Sequence, residues 1–260
     1  MEYPINNKIF QEEAISADHA KRMLVMGNKI IVNEGVFDAF GHISIRNPEN
    51  PETFFISRAL APASVTVDDL IEMDFNAKVV GGNLSFTPFS ESAIHCSIFK
   101  ARPDVNCVCH PHPNEIIPFS CVDVPLSGIY HQYTFYDGIP VFSDMPPECG
   151  LLINTLELGD KLAEALGSKR GVLIRNHGVV VVGESLPRTV FSTVTLRDNA
   201  KMLASALSMG VKITSFAGAE EIRKGTYGHF CGQPAKRAWD YWCKRARESF
   251  PEVADMNVDG

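Results

Sequence analysis

The stretch Cys107-Val-Cys-His-Pro-His-Pro113 constrains this chain more than any other. In an extended backbone, side chains i and i+2 point to the same side. His110 and His112 therefore project together, while Cys109 and Pro111 face away. Two imidazoles so placed stand ~6–7 Å apart along the strand, and they can share one divalent cation if a third ligand arrives from elsewhere. His177 is that candidate. It sits at Asn176-His177-Gly178, where two β-branched runs within 171–183 meet, so rigid strands hold it on both sides. Three His ligands with an open position suit a catalytic metal rather than a structural one. Cys107 and Cys109 lie on the opposite face and read as buried small hydrophobes.

The surrounding periodicities place this stretch in a mixed α/β chain. Apolar residues recur at helical spacing from Ser16 to about Asn33, and Gly35 follows as the stop. Alternation over 37–46 and the run 53–57, joined by the turn 47–51, predict a hairpin whose first strand has a polar face. A second hairpin is expected over 71–80. Ser90 is placed to cap a helix that runs to about Ala101 with Glu91 in its first turn. Further helices are expected over 114–119, 148–166, 186–209 and 234–250, with a weak one over 218–224 and an edge-like extended piece at 139–142. Helices interspersed with hairpins predict a three-layer α/β/α fold with a central, mainly antiparallel sheet. Residues 1–215 are expected to form the catalytic domain. Residues 216–260 read as a helical tail packing on the domain or on a neighbouring subunit.

Charge and composition exclude several classes. A net charge of -7 without a basic cluster argues against nucleic-acid binding. No apolar run approaches the ~20 residues of a membrane span. Residues 1–7 lack a basic-then-apolar signal pattern, and seven Cys without scaffold-like spacing fit a reducing cytoplasm.

Other polar groups have two readings each. Glu91 is either a first-turn acid chosen for helix stability or a fourth ligand that doubles as acid/base. His95, one turn on, reads as a packing residue or a support to the site. His42, Ser44 and Arg46 share a strand face, and Ser57-Arg58 end the partner strand. They form either a solvated face or a set of donors for an anion. Tyr130, His131 and Tyr133 form either an aromatic packing loop or, through His131, a proton-transfer site.

Taken together, Gly41-His-Ile-Ser-Ile-Arg46, Ser90-Glu91, Glu91-x-x-x-His95, Arg102-Pro-Asp-x-Asn106, His110-x-His112 and Asn176-His177-Gly178 resemble the class II aldolase/adducin family over roughly residues 15–215. The resemblance implies a three-layer α/β/α domain, a metal on His110, His112 and His177, Glu91 as acid/base, and a homotetramer with active sites between adjacent subunits. Non-enzymatic adducin-type members lack the metal His set. The sugar-phosphate aldolases of the family carry phosphate-cradling residues where this chain has His42, Ser57-Arg58 and Phe89-Ser90, and a Tyr proton donor where it has His131 after Tyr130. These departures disfavour a phosphorylated sugar. They are similar to a branch of metal-dependent decarboxylases of hydroxylated aromatic or pyridine carboxylates.

The expectation is therefore a metal-dependent carbon–carbon lyase, a decarboxylase of a hydroxylated aromatic or heteroaromatic carboxylate. Zn, Mn, Fe or Co would serve as the one divalent metal per subunit. His42, Ser44, Ser57, Arg58, Ser90 and Tyr130 would bind substrate, with Glu91 and His131 catalytic. An aldolase on a hydroxy or oxo substrate, a non-haem Fe(II) oxygenase and a non-enzymatic adducin-like module are the alternatives.

Overall fold

The chain folds around one eight-stranded sheet in the order β4-β3-β2-β1-β5-β8-β7-β6. Its strands are β1 (His42–Arg46), β2 (Thr53–Ser57), β3 (Leu70–Asp74), β4 (Val79–Gly81), β5 (Cys107–His110), β6 (Val141–Phe142), β7 (Gly171–Ile174) and β8 (Gly178–Gly183). The computed structural model describes residues 15–214 and 232–258. Neighbouring strands run antiparallel except the edge pair β6 and β7. The central β5 pairs His42 with His110 on one side and Cys109 with Val181 on the other.

Each strand alternates between two cores. Ile43 and Ile45 of β1 and Cys107 and Cys109 of β5 pack under α1 (Ala17–Asn33), the first turns of α5 (Leu186–Ser208) and α6 (Gly232–Ser249). Phe54, Ile56, Val108, Val180 and Val182 face the opposite way, under α2 (Ser92–Ala101) and α4 (Leu156–Leu166). The layers are thus α/β/α, as the pattern of sequence periods predicts. The short α3 (Ile117–Cys121) closes one end. Ser16 caps α1, its hydroxyl accepting from the His19 amide at 3.2 Å. No described helix is long and apolar enough to cross a membrane.

Of the two readings of the polar side of β1, the solvated one is excluded: His42 and Ser44 are buried, and the half-buried Arg46 spends its guanidinium on the carbonyls of Pro51, Phe99, Arg102 and Val105. Two local expectations are corrected. Ser90 is not the cap of α2; the helix starts at Ser92 with Glu91 in the cap position, and the Glu91 side chain makes no capping bond. The single helix expected over 148–166 is broken. A 3₁₀ turn at Pro147–Cys149 ends where Gly150 and Leu151 take left-handed backbone (φ 63 and 67), and α4 restarts at Leu156 under a Thr155 cap. The weak helix expected over 218–224 lies outside the described residues.

The C-terminal helix docks on α1 and α5 of the same chain. Trp239, Cys243 and Ala246 of α6 enter the cluster that holds Leu24 and Ile31 of α1. Lys29 of α1 is fully buried; its ammonium donates to the Ala63 carbonyl and to Glu252 Oε1, 2.7 Å away. Apolar burial carries more of this docking. Trp239→Ala should remove about 3–5 kcal/mol, whereas Glu252, whose side chain is 42% exposed, contributes less. Still, Glu252→Gln leaves the Lys29 ammonium without its counter-charge and should destabilise by about 1–2 kcal/mol after discounting for solvent screening. Thermal unfolding measures this, and an unchanged midpoint would mean the pair is neutral to stability.

Candidate metal centre

Three imidazoles converge at the end of the central strands. His110 closes β5, and His112 follows two residues on. His177 lies in the tight turn between β7 and β8. Asn176 makes that turn by taking φ 59, a left-handed conformation that Asn tolerates better than most residues. Gly178 is required next: a Cβ there would stand 2.6 Å from the Pro111 carbonyl and 2.7 Å from His112 Cδ2. Without a side chain at 178, His112 reaches His177.

The ring nitrogens are oriented by backbone carbonyls. His110 Nδ1 lies 2.9 Å from the Val179 oxygen, and His177 Nδ1 lies 2.5 Å from the Leu151 oxygen. A carbonyl only accepts, so both Nδ1 atoms carry protons and both Nε2 lone pairs are free to ligate. The Nε2 atoms stand 3.0 Å apart for His110–His112, 3.0 Å for His112–His177 and 3.3 Å for His110–His177. Lone pairs cannot face one another at this range unless a proton or a cation lies between them. Tetrahedral coordination with metal–nitrogen bonds of about 2.0–2.1 Å gives nitrogen pairs about 3.3 Å apart, close to what is observed.

Glu91 completes the cluster. Its Oε1 accepts from the Ile153 amide at 2.9 Å, and its Oε2 lies 3.4 Å from His177 Nε2 and 3.6 Å from His110 Nε2. The ligand atoms of Glu91, His110, His112 and His177 all lie within 4.8 Å of one another, so the set fits a divalent cation. Burial alone would raise the Glu91 carboxyl, but positive charge on the adjacent His110 and His177 rings outweighs it and holds the group ionised; a cation on the same Nε2 atoms would take the place of their protons. Burial likewise lowers His177, and Glu91 more than reverses it. Burial and the adjacent His110 and His177 push His112 down to about 3. The site therefore favours positive charge beside Glu91 and a neutral His112, which suits a metal. Burial raises the Cys107 thiol to about 12, so it is no thiolate ligand.

Beside the cluster lies a cleft of about 450 Å³. Phe40, Leu60, Phe89 and Leu152 give it an apolar wall, and His42 and Ser90 add polar groups. The ring of His42 packs against Phe89 with centroids 4.6 Å apart. Behind His42, the buried His95 bonds His42 Nδ1 at 2.7 Å and Ser44 Oγ at 2.5 Å. Burial, followed by His110, lowers His95 to about 3, and burial with His95 and His110 lowers His42 well below 6.5.

The remaining predicted residues are placed as follows. Ser44 stands behind the cleft wall, and Ser57 is buried at the end of β2. Arg58 turns away: its Nε donates to Asp69 Oδ1 at 2.8 Å, and the cleft is walled by Ala59, Leu60 and Ala61 instead. Tyr130 and His131 occupy a loop tied to α5, whose Asn199 Oδ1 accepts the amides of Ile129 and Tyr130 at 2.9 and 3.1 Å. Neither lines the cleft within one chain. Residues that sequence reading missed are mostly backbone: the Leu151 and Val179 carbonyls and the Ile153 amide. Gly150, an interruption in the expected helix, was the one signal for the first and third.

A mainly antiparallel sheet between helical layers, with a three-His, one-Glu pocket at the end of its central strands, defines an α/β protein with a pocket that fits a divalent cation. The chain belongs to the class II aldolase and adducin family: residues 22–204 match the model described as "Class II Aldolase and Adducin N-terminal domain". Among curated relatives, it is 29% identical over 247 residues to "Decarboxylase tropJ" of Talaromyces stipitatus, covering 86% of this chain and 92% of that one. It is 28% identical over 126 residues to "3,4-dihydroxyphthalate decarboxylase" of Rhodococcus jostii, covering 46% of this chain and 50% of the relative. Among solved structures, an aldolase II superfamily protein from Pseudomonas syringae superposes with a TM-score of 0.78 at 19% identity, over 90% of this chain and 94% of that one.

Proposed function

We propose that the protein is a metal-dependent carbon–carbon lyase that removes carbon dioxide from a hydroxylated aromatic or heteroaromatic carboxylate. The observation that carries this reading is the His110/His112/His177/Glu91 cluster opening onto an apolar, aromatic-walled cleft. A planar ring suits the wall formed by Phe40, Leu60 and Phe89. A phosphate does not: no Lys or Arg is among the described residues lining the cleft, and Arg58 is engaged by Asp69. The decarboxylase names of the relatives above point the same way.

A divalent cation (zinc, manganese, iron or cobalt) on the three His would supply a Lewis acid for the charge left on carbon as carbon dioxide departs. The chain's own groups do the rest. The apolar wall orients the ring and excludes water. His42 meets a substrate oxygen from one side, and Ser90 stands at the rim. Glu91, ionised at rest, stands within reach to take a proton from the substrate hydroxyl and return it to the carbon that loses the carboxylate. His131 is the second candidate donor, and because it is remote from this chain's own cleft, it serves a neighbouring subunit in a homotetramer. A cytoplasmic location suits the buried thiols of Cys107 and Cys109.

Cation-loaded protein incubated with hydroxylated benzoates and pyridine carboxylates should release carbon dioxide stoichiometrically with substrate loss. Aldehyde formation from a hydroxy or oxo substrate without carbon dioxide would replace this reading with an aldolase. Substrate-dependent oxygen uptake with iron would replace it with an oxygenase, and a protein that binds no metal would be an adducin-like module. The assembly is checked separately by sedimentation velocity at micromolar concentration, where a monomer would exclude any role for His131 in a neighbour's cleft.

A further inference from the structure

Ser44, His95 and His42 form a buried file that ends at the cleft. Ser44 and His95 are fully buried and His42 is 4% exposed. Both nitrogens of His95 are engaged, Nδ1 with Ser44 Oγ at 2.5 Å and Nε2 with His42 Nδ1 at 2.7 Å. Neutral imidazole has one donor and one acceptor nitrogen, so the file has two possible directions. In one, His95 donates to Ser44, and the serine proton is left in a buried pocket with no acceptor among the described residues. In the other, Ser44 donates to His95 Nδ1, His95 Nε2–H donates to His42 Nδ1, and His42 keeps its proton on Nε2. A buried donor left without a partner is costly, whereas a hydroxyl oxygen with spare lone pairs is not. The second direction is favoured for that reason.

We propose that His95 is a positioning residue that hands the Ser44 donation on to His42, so that His42 meets the substrate as a neutral Nε2–H donor. The ligand class this selects is an oxygen-bearing anion, a carboxylate or phenolate, seated between His42 and the metal cluster. The assignment of the proton rests on the file alone; its use on substrate rests on the function proposed above.

Histidine-selective ¹⁵N NMR of the purified protein reads the tautomers without any substrate. His42 and His95 should both show the Nε2–H form, and an Nδ1–H signal for His42 would overturn the proposal even if the protein decarboxylates. Kinetics test the consequence. His95→Leu keeps the bulk but breaks the file, and KM should rise roughly 10–100-fold, the range expected for losing a hydrogen bond to a charged group. His95→Gln can still accept from Ser44 and donate to His42, and it should stay within a few-fold of the parent with unchanged metal content. Equal losses in the Leu and Gln variants would show that His95 acts by packing. Should His95→Leu fail to fold, the tautomer measurement on the parent protein still decides.

Discussion

His112→Ala is expected to abolish stoichiometric metal binding and to lower turnover by roughly 10³-fold or more, since a Lewis acid supplies several kcal/mol of transition-state stabilisation. His112 is the least constrained of the proposed ligands: its Nε2 stands 3.0 Å from both neighbours, yet it follows the end of β5 instead of lying within it. Its removal should therefore spare the sheet. The hairpin of β7 and β8 and its Gly178 turn do not depend on the imidazole, so the melting curve of metal-free protein should move little. Elemental analysis beside the melting curve checks both halves. A full metal complement in the variant would show that the ligand set is wrong, and a collapsed fold would show that His112 is structural.

Glu91→Gln separates chemistry from architecture. Gln can still accept the Ile153 amide that Glu91 Oε1 accepts at 2.9 Å, so the broken segment ahead of α4 keeps its anchor. If Glu91 serves only the electrostatics of the α2 terminus, the change costs about 0.3–1 kcal/mol and turnover survives. If it delivers the proton, turnover should fall roughly 10²–10⁴-fold while folding and metal loading stay near normal. The geometry favours the second outcome. The side chain makes no bond to its own helix and is aimed instead at His110 and His177. Turnover of the Gln variant at parental level would remove Glu91 from the mechanism and leave His131 as the donor.

Much of the fold was legible because its signals are local. Alternation placed β1 and told which of its sides is apolar, since a strand has only two faces, and the run 53–57 placed β2 beside it. The i, i+2 spacing of His110 and His112 put both on one side of one strand, and Asn176-His177-Gly178 marked a turn between two rigid runs. Other features depended on partners distant in sequence. The polar side of β1 keeps two readings, solvated face or anion site, until α2 brings His95 over it, 51 residues from Ser44. Arg58 reads as an anion receptor until Asp69 claims it. The 148–166 helix reads as continuous because apolar spacing does not report where the backbone leaves the helix. That break frees the Leu151 carbonyl and the Ile153 amide to orient His177 and Glu91. Side-chain periodicity thus determined the layers and put His110 and His112 together as candidate ligands. Which backbone groups aim those ligands, and which charges reach the cleft, were decided only by tertiary packing, because every residue offers the same amide and carbonyl and an ion pair forms with whatever the fold brings near.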